Sequence, residues 1–323
     1  MGQRNRWAAA ARLLGCTAAA LLALSPAMLR AEEENAAPPM DVRAADTLGT
    51  PEPKEEEGPV GPNRGRFSFS LTNDFTTAYF FRGILQERNG FIWQPSAEIS
   101  FRLWDGEGPL NSVALGFGIW NSFQTAKTGA TGGPTNLYET DYYPSLTLGW
   151  EGGFETSVTY NVYTSPNGAF STAQEVALGL AYDDSELLGP FALAPTATFA
   201  FETQGTSFGT DAQGGYGEFG VEPGLEMSLP GVDSEEYPVT VSVPLAVGFS
   251  LYDYYNDGVD NDVWGFFSFG LTGTLPLAFI PEDFGAWSVG LGINVLVLND
   301  TLEAINHEDN PYPVGTFSIA MEY

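Results

Sequence analysis

Carboxylates are the chemistry this sequence carries in quantity, and their spacing is that of extended strands. Glu218, Glu222 and Glu226 stand four apart and share a register with Gly220 and Gly224, while Phe219, Val221, Pro223, Leu225 and Met227 occupy the other. A strand with that alternation has one acidic face and one apolar face. Neighbouring glutamates would be about 13 Å apart at strand rise, too far to share one ion. Each would need a partner from an adjacent strand, such as Glu202. The same phasing places Asp74, Glu98, Glu139, Asp141, Glu155, Glu175 and Glu322 on polar faces, with Arg102 the main base among them. Acids on the inner wall of a pore attract cations and exclude anions. A generically polar, hydrated interior accounts for some of these residues. The near-absence of compensating arginines is what points to cations.

Two further groups could do chemistry. The segment 253–262 gathers Asp253, Asp257, Asp260 and Asp262 around Gly258. Hard oxygens about a turn-forming glycine suit Ca²⁺, although the spacing and terminal Glu of an EF-hand are missing. An acidic loop without a specific ion, or divalent ions bridging it to lipopolysaccharide, are the competing readings. His307, the single histidine, has Glu303 and Asp309 nearby in sequence. An outer-membrane hydrolase would require it, and a lone loop histidine is a poor basis for catalysis. The reading is therefore of a protein that is not an enzyme.

The elements that must position these residues are twelve alternating segments: roughly 67–81, 91–104, 112–124, 137–150, 154–164, 174–182, 191–203, 216–228, 237–252, 263–276, 286–298 and 312–323. Strands near ten residues long, apolar outward and polar inward, predict a closed antiparallel transmembrane β-barrel over 66–323. An even count leaves both ends of the barrel on one side. With the first strand running outward, Trp150, Tyr237 and Trp287 fall at inner strand ends, and Tyr79, Trp93, Tyr138, Phe201 and Tyr252 at outer ends. Aromatic girdles occupy such places. Pro95, Pro144, Pro195, Pro223 and Pro244 each remove a ladder donor, so bulges or kinks are expected there. A secreted soluble β-sandwich is the rival fold, because alternation also suits a half-buried sheet.

Charge and flanking segments narrow the setting. Residues 1–31 combine Arg4, Arg6 and Arg12 with a short apolar run and small residues at 25–31, the pattern of a signal peptide. Cys16, the only cysteine, precedes most of that run, where a lipidation site would follow it. Residues 32–65, rich in Glu, Pro and Ala, read as a disordered leader. Beyond residue 31 eight basic residues face forty-one Asp and Glu, and none follows Lys127. That balance excludes nucleic acid as a partner.

The stretch Tyr79-Phe-Phe-Arg-Gly-Ile-Leu-Gln86, followed by Trp93-Gln94-Pro95 and Glu98-Ile-Ser-Phe101, resembles the TorF-type porin family of small outer-membrane barrels. Leu85 and Pro95 depart from the family pattern. The resemblance covers about thirty residues and implies an exported outer-membrane barrel and a channel, with no substrate attached. It places Arg82 and Gly83 in a turn at the outer rim. Residues 312–323, ending on Tyr323, are similar to the terminal strands read by the barrel assembly machinery. The combined expectation is an outer-membrane channel for passive diffusion of small solutes, cationic or neutral, through an acidic lumen. Its alternative is a structural or adhesive barrel that does not conduct.

Overall fold

Strict alternation over ten to fifteen residues leaves the backbone one way to hide its apolar face and satisfy its ladder groups at once: a sheet rolled onto itself. A computed structural model describes residues 66–207, 212–227, 238–256, 258, 261–307 and 309–323. The signal-peptide and leader segments, Tyr237, Asp257 and Asp260 lie outside those residues. The barrel strands are β1 (Phe67–Thr76), β2 (Ile92–Asp105), β3 (Leu110–Gln124), β4 (Leu137–Trp150), β5 (Phe154–Thr164) and β6 (Ala173–Tyr182). They continue with β7 (Thr196–Gln204), β8 (Gly215–Val221, resumed at Gly224–Met227), β9 (Val239–Ser242, resumed at Leu245–Tyr252), β10 (Trp264–Pro276), β11 (Ala286–Leu298) and β12 (Tyr312–Glu322).

All twelve pair antiparallel with their neighbours in chain order. The cylinder closes between β1 and β12, where Leu71 faces Met321 on one side and Ala97 of β2 on the other. Register separates the two surfaces. Outward positions such as Phe117, Leu180, Phe219, Phe269 and Leu291 are exposed, while the residues between them are buried. A contiguous apolar outer wall of this extent is a lipid-facing surface. No helix among the described residues is long and apolar enough to cross a membrane. The chain is a transmembrane β-barrel, and the sandwich alternative falls with the closed ladder.

The prolines act in two ways. Pro223 and Pro244 interrupt β8 and β9 at neighbouring points, and the gap is bridged by Val243 N–H donating to the Pro223 carbonyl at 2.9 Å and Gly270 N–H to the Pro244 carbonyl at 2.9 Å. Pro95 and Pro144 each leave two residues unpaired on one side, and the register resumes unshifted beyond them. Pro195 sits just before β7. A missing N–H is thus absorbed as a gap, with no bulge at these five positions.

The barrel's core lies inside the bore, at one end. Phe80, Tyr216, Tyr254, Tyr255, Phe266, Leu296, Leu298, Leu302 and Val314 form one buried cluster. Tyr79, Phe81, Ile92, Trp120, Tyr138, Tyr143 and Tyr163 form another. What joins them is the segment after β1.

Candidate functional site: a hairpin plug in an acidic bore

The first strand was expected to run to residue 81. It stops at Thr76, and the chain turns inward as a short hairpin, Tyr79–Phe81 paired with Ile84–Glu87. Arg82 and Gly83 form its two-residue tip with φ of 49° and 82°, the positive-φ pattern of a type I′ turn. A Cβ at Gly83 would lie 2.9 Å from the Leu302 side chain, so glycine serves both the turn and the close approach. The rim placement of these two residues is therefore corrected: Arg82 is fully buried inside the barrel.

The hairpin crosses the bore. Tyr79 packs on Trp120 of β3 with ring centroids 5.3 Å apart and donates to Glu139 of β4 at 2.9 Å. Phe81 meets Tyr163 of β5 edge-on at 5.2 Å, and Phe80 meets Tyr312 of β12 at 4.8 Å. A one-and-a-half-turn helix, Asp300–Ile305, closes over the tip, its start capped by Asn299 accepting from Leu302 N–H at 2.7 Å. Asn306 then clamps the hairpin backbone, donating to the Gly83 carbonyl at 2.7 Å and accepting from Leu85 N–H at 2.9 Å. Tyr79 and Tyr138, expected in a lipid girdle, thus belong to the interior. Tyr252 does face outward, stacked on Phe201 at 6.5 Å.

At the centre stands one ion pair. The two terminal nitrogens of Arg82 fork onto Glu175 of β6 at 2.8 Å and 2.7 Å. The same carboxylate accepts from Tyr163 at 2.8 Å and Asn161 at 3.0 Å. Tyr216 lies flat enough for its centroid to sit 4.2 Å from the guanidinium carbon, with Phe81 at 4.8 Å and Tyr254 at 5.4 Å. Tyr254 also accepts from Arg82 at 3.2 Å, and Tyr255 donates to the Arg82 carbonyl at 3.0 Å. Burial works against the charge on Arg82, and the Glu175 carboxylate outweighs it, holding the guanidinium well above its ordinary value. A bidentate charge-assisted pair with aromatic faces on the cation is a strong and geometrically selective contact.

The acids read from the sequence divide into two groups. Near the hairpin, Glu139 and Glu175 hold it directly, Glu218 accepts from Tyr216 at 2.5 Å, and Glu202 accepts from Ser207 N–H at 2.5 Å and Gly214 N–H at 2.7 Å. Asp141 is buried two residues from Glu139 on the same face, with neither carboxyl oxygen in a hydrogen bond of normal geometry. Toward the opposite end the inward side chains become small: Ser100, Thr147, Ser157 and Thr272. Among them stand Glu98, beside Gly116, and Glu222, accepting from Ser242 at 2.6 Å, while Asp74, hydrogen-bonded by Ser318, lies two residues before the end of β1 from which the hairpin springs. Glu155 and Glu226 are half-buried on the same wall. Arg102 is held 3.3 Å from Asp105 near that mouth. The expected pairing of Glu202 with the β8 glutamates is replaced by the loop and tyrosine contacts just given.

The acidic loop spreads its described members apart in role. Asp253 accepts from Asn261 at 2.7 Å, and Asp262 accepts from Asn299 at 3.0 Å and Thr301 at 2.6 Å, tying the loop to the short helix. Among the described residues no three His, Cys, Asp or Glu gather as a metal site. His307 follows that helix with φ of 69°, and Glu303 accepts from Asn310 at 2.7 Å.

The geometry defines a class: a twelve-stranded transmembrane barrel with an internal hairpin plug and an acidic inner wall. No protein-family model and no curated protein matches the chain. Among solved structures it is similar to the NanC porin, with a TM-score of 0.39 and 9% identity over 79% of this chain and 98% of that one. It is also similar to outer membrane phospholipase A from Escherichia coli, with a TM-score of 0.37 and 13% identity over 78% of this chain and 91% of that one. A further likeness is to the transport unit of the autotransporter AIDA-I from Escherichia coli, with a TM-score of 0.37 and 10% identity over 82% and 92%.

Proposed function

We propose that this barrel is an outer-membrane channel for small solutes that favours cations, with the hairpin as its resident plug. The observation that carries the reading is the inner wall away from the plug. There Glu98, Glu155, Glu222 and Glu226 stand among serine, threonine and glycine, with Arg102 the inward base and itself paired to Asp105. Such a wall concentrates cations in a low-dielectric vestibule and repels anions. The apolar outer face supports membrane residence, and the resemblance of Tyr79–Gln86 to TorF-type porins supports the outer membrane.

Planar-bilayer recording under a KCl gradient tests it. A reversal potential of the sign set by cations is expected, with conductance rising when the hairpin residues 79–86 are replaced by a short Gly/Ser loop. Anion selectivity, or silence of both proteins, overturns the reading. The number of contacts clamping the hairpin favours one alternative, a barrel with no conducting path, and silence after hairpin removal is its signature.

A further inference from the structure

The surroundings of Arg82 have the form of a receptor. Glu175 offers both carboxylate oxygens in the plane of a guanidinium, and it is held in that pose by Tyr163 and Asn161, which are themselves buried. Tyr216 and Tyr254 supply aromatic faces to the cation, and Tyr254 supplies a further acceptor at its edge. These five residues belong to β5, β6, β8 and the loop after β9, so they are parts of the barrel and not of the plug. Only Arg82 and Phe81 come from the hairpin. If the hairpin leaves, the barrel keeps an oriented carboxylate among tyrosines with its cation removed.

A buried carboxylate in that state takes a proton or finds another cation. The shape decides which. Two parallel acceptors and flanking π faces match a planar fork of N–H groups and match a compact ammonium poorly. The charge around the cage agrees, since Glu139, Asp141 and Glu218 are close by and Arg82 is the cation at this end of the bore among the described residues.

We propose that the cage of Glu175, Tyr163, Asn161, Tyr216 and Tyr254 is a binding site for small solutes bearing a guanidinium group, with Arg82 as its built-in occupant. A solute that takes Arg82's place releases the hairpin tip, so the same contact that closes the barrel selects what opens it. Occupancy of the cage stands on geometry alone; the opening step rests on the channel reading.

The test uses the full chain with Arg82→Ala, titrated calorimetrically with methylguanidinium and with methylammonium. Saturable binding of one methylguanidinium per chain is expected, preferred by roughly tenfold over methylammonium, the value of about one added charge-assisted hydrogen bond. Adding Glu175→Gln to that variant is expected to abolish binding. No saturable binding, equal affinity for the two cations, or binding that survives the Glu175 change overturns the proposal. Should Arg82→Ala fail to fold, the unmodified barrel decides. Methylguanidinium added on the hairpin side should raise its conductance above that in equimolar methylammonium, and the rise should be lost in Glu175→Gln; an equal response to both cations overturns the proposal. Binding to the Arg82→Ala cage without conductance under any condition keeps the site and removes the channel. Cation conductance after hairpin replacement, without methylguanidinium binding, keeps the channel and removes the site.

Discussion

Replacing Glu175 by Gln should unlock the hairpin while leaving the barrel folded. Arginine stays protonated under all ordinary conditions, so removing its carboxylate leaves a buried charge that proton loss cannot relieve. Breaking a buried pair from one side costs about 3–5 kcal/mol. Tyr254 at 3.2 Å and the Tyr216 face at 4.2 Å remain as partial partners, which puts the cost near the lower end, about 3 kcal/mol. At 1.36 kcal/mol per decade, that is roughly a 150-fold shift from plugged to unplugged. Because the barrel ladder closes without the hairpin, this energy falls on the hairpin's docking and not on the sheet. Trypsin reads it directly. The Arg82–Gly83 bond is inaccessible when the tip is docked, whereas Arg88, one-third exposed, serves as an internal reference for cutting in the same loop. Cleavage after Arg82 should appear in Glu175→Gln at a rate far above the unmodified protein, while the folded band of the unboiled, undigested barrel on SDS gels is retained. Equal protection of Arg82 in both proteins, with Arg88 cut in each, would refute the assignment of Glu175 as the lock.

Other changes follow from the same geometry. Phe80→Ala removes the ring that fills the apolar side of the bore against Tyr312 and Leu296, at a cost of about 3–5 kcal/mol if the gap stays open, and it should expose Arg82 to trypsin with Glu175 intact. Gly118→Ala places a methyl group 1.9 Å from the Tyr143 ring, so overpacking of about 1–3 kcal/mol should lower the temperature at which the folded gel band is lost. Glu98→Gln combined with Glu222→Gln should reduce cation preference, read as a smaller reversal potential under a salt gradient with unchanged trypsin protection of Arg82. Asn306→Ala deletes both hydrogen bonds to the hairpin backbone, about 1 kcal/mol each, and should raise Arg82 cleavage less than Glu175→Gln does.

How much of this was legible depends on whether a residue's fate is set locally. The period-2 run from Val239 to Leu251 marked a membrane strand without any knowledge of its neighbours, and so did the alternation of β8 and β12, because a strand's two faces are a property of its own sequence. The acids of the far bore followed from the same phase. The plug did not, because Tyr79-Phe-Phe, Arg82-Gly83 and Ile84-Leu85 read only as a turn flanked by apolar residues, and nothing local says whether a short hairpin turns out to solvent or in to the lumen. Its trace lay elsewhere, in the positions it would touch. Trp120, Tyr138, Tyr163, Tyr216, Phe266 and Leu296 occupy inward positions where a water-filled barrel wants polar side chains. Phe266 of β10 with Leu296 and Leu298 of β11 are the part of the wall against which Phe80 and Leu302 rest. An inward aromatic near one end of nearly every other strand is the mark of something docked there. Arg82, the cation amid those rings, then identifies the docked piece, since it finds its one bidentate carboxylate, Glu175, ninety-three residues away on the opposite wall.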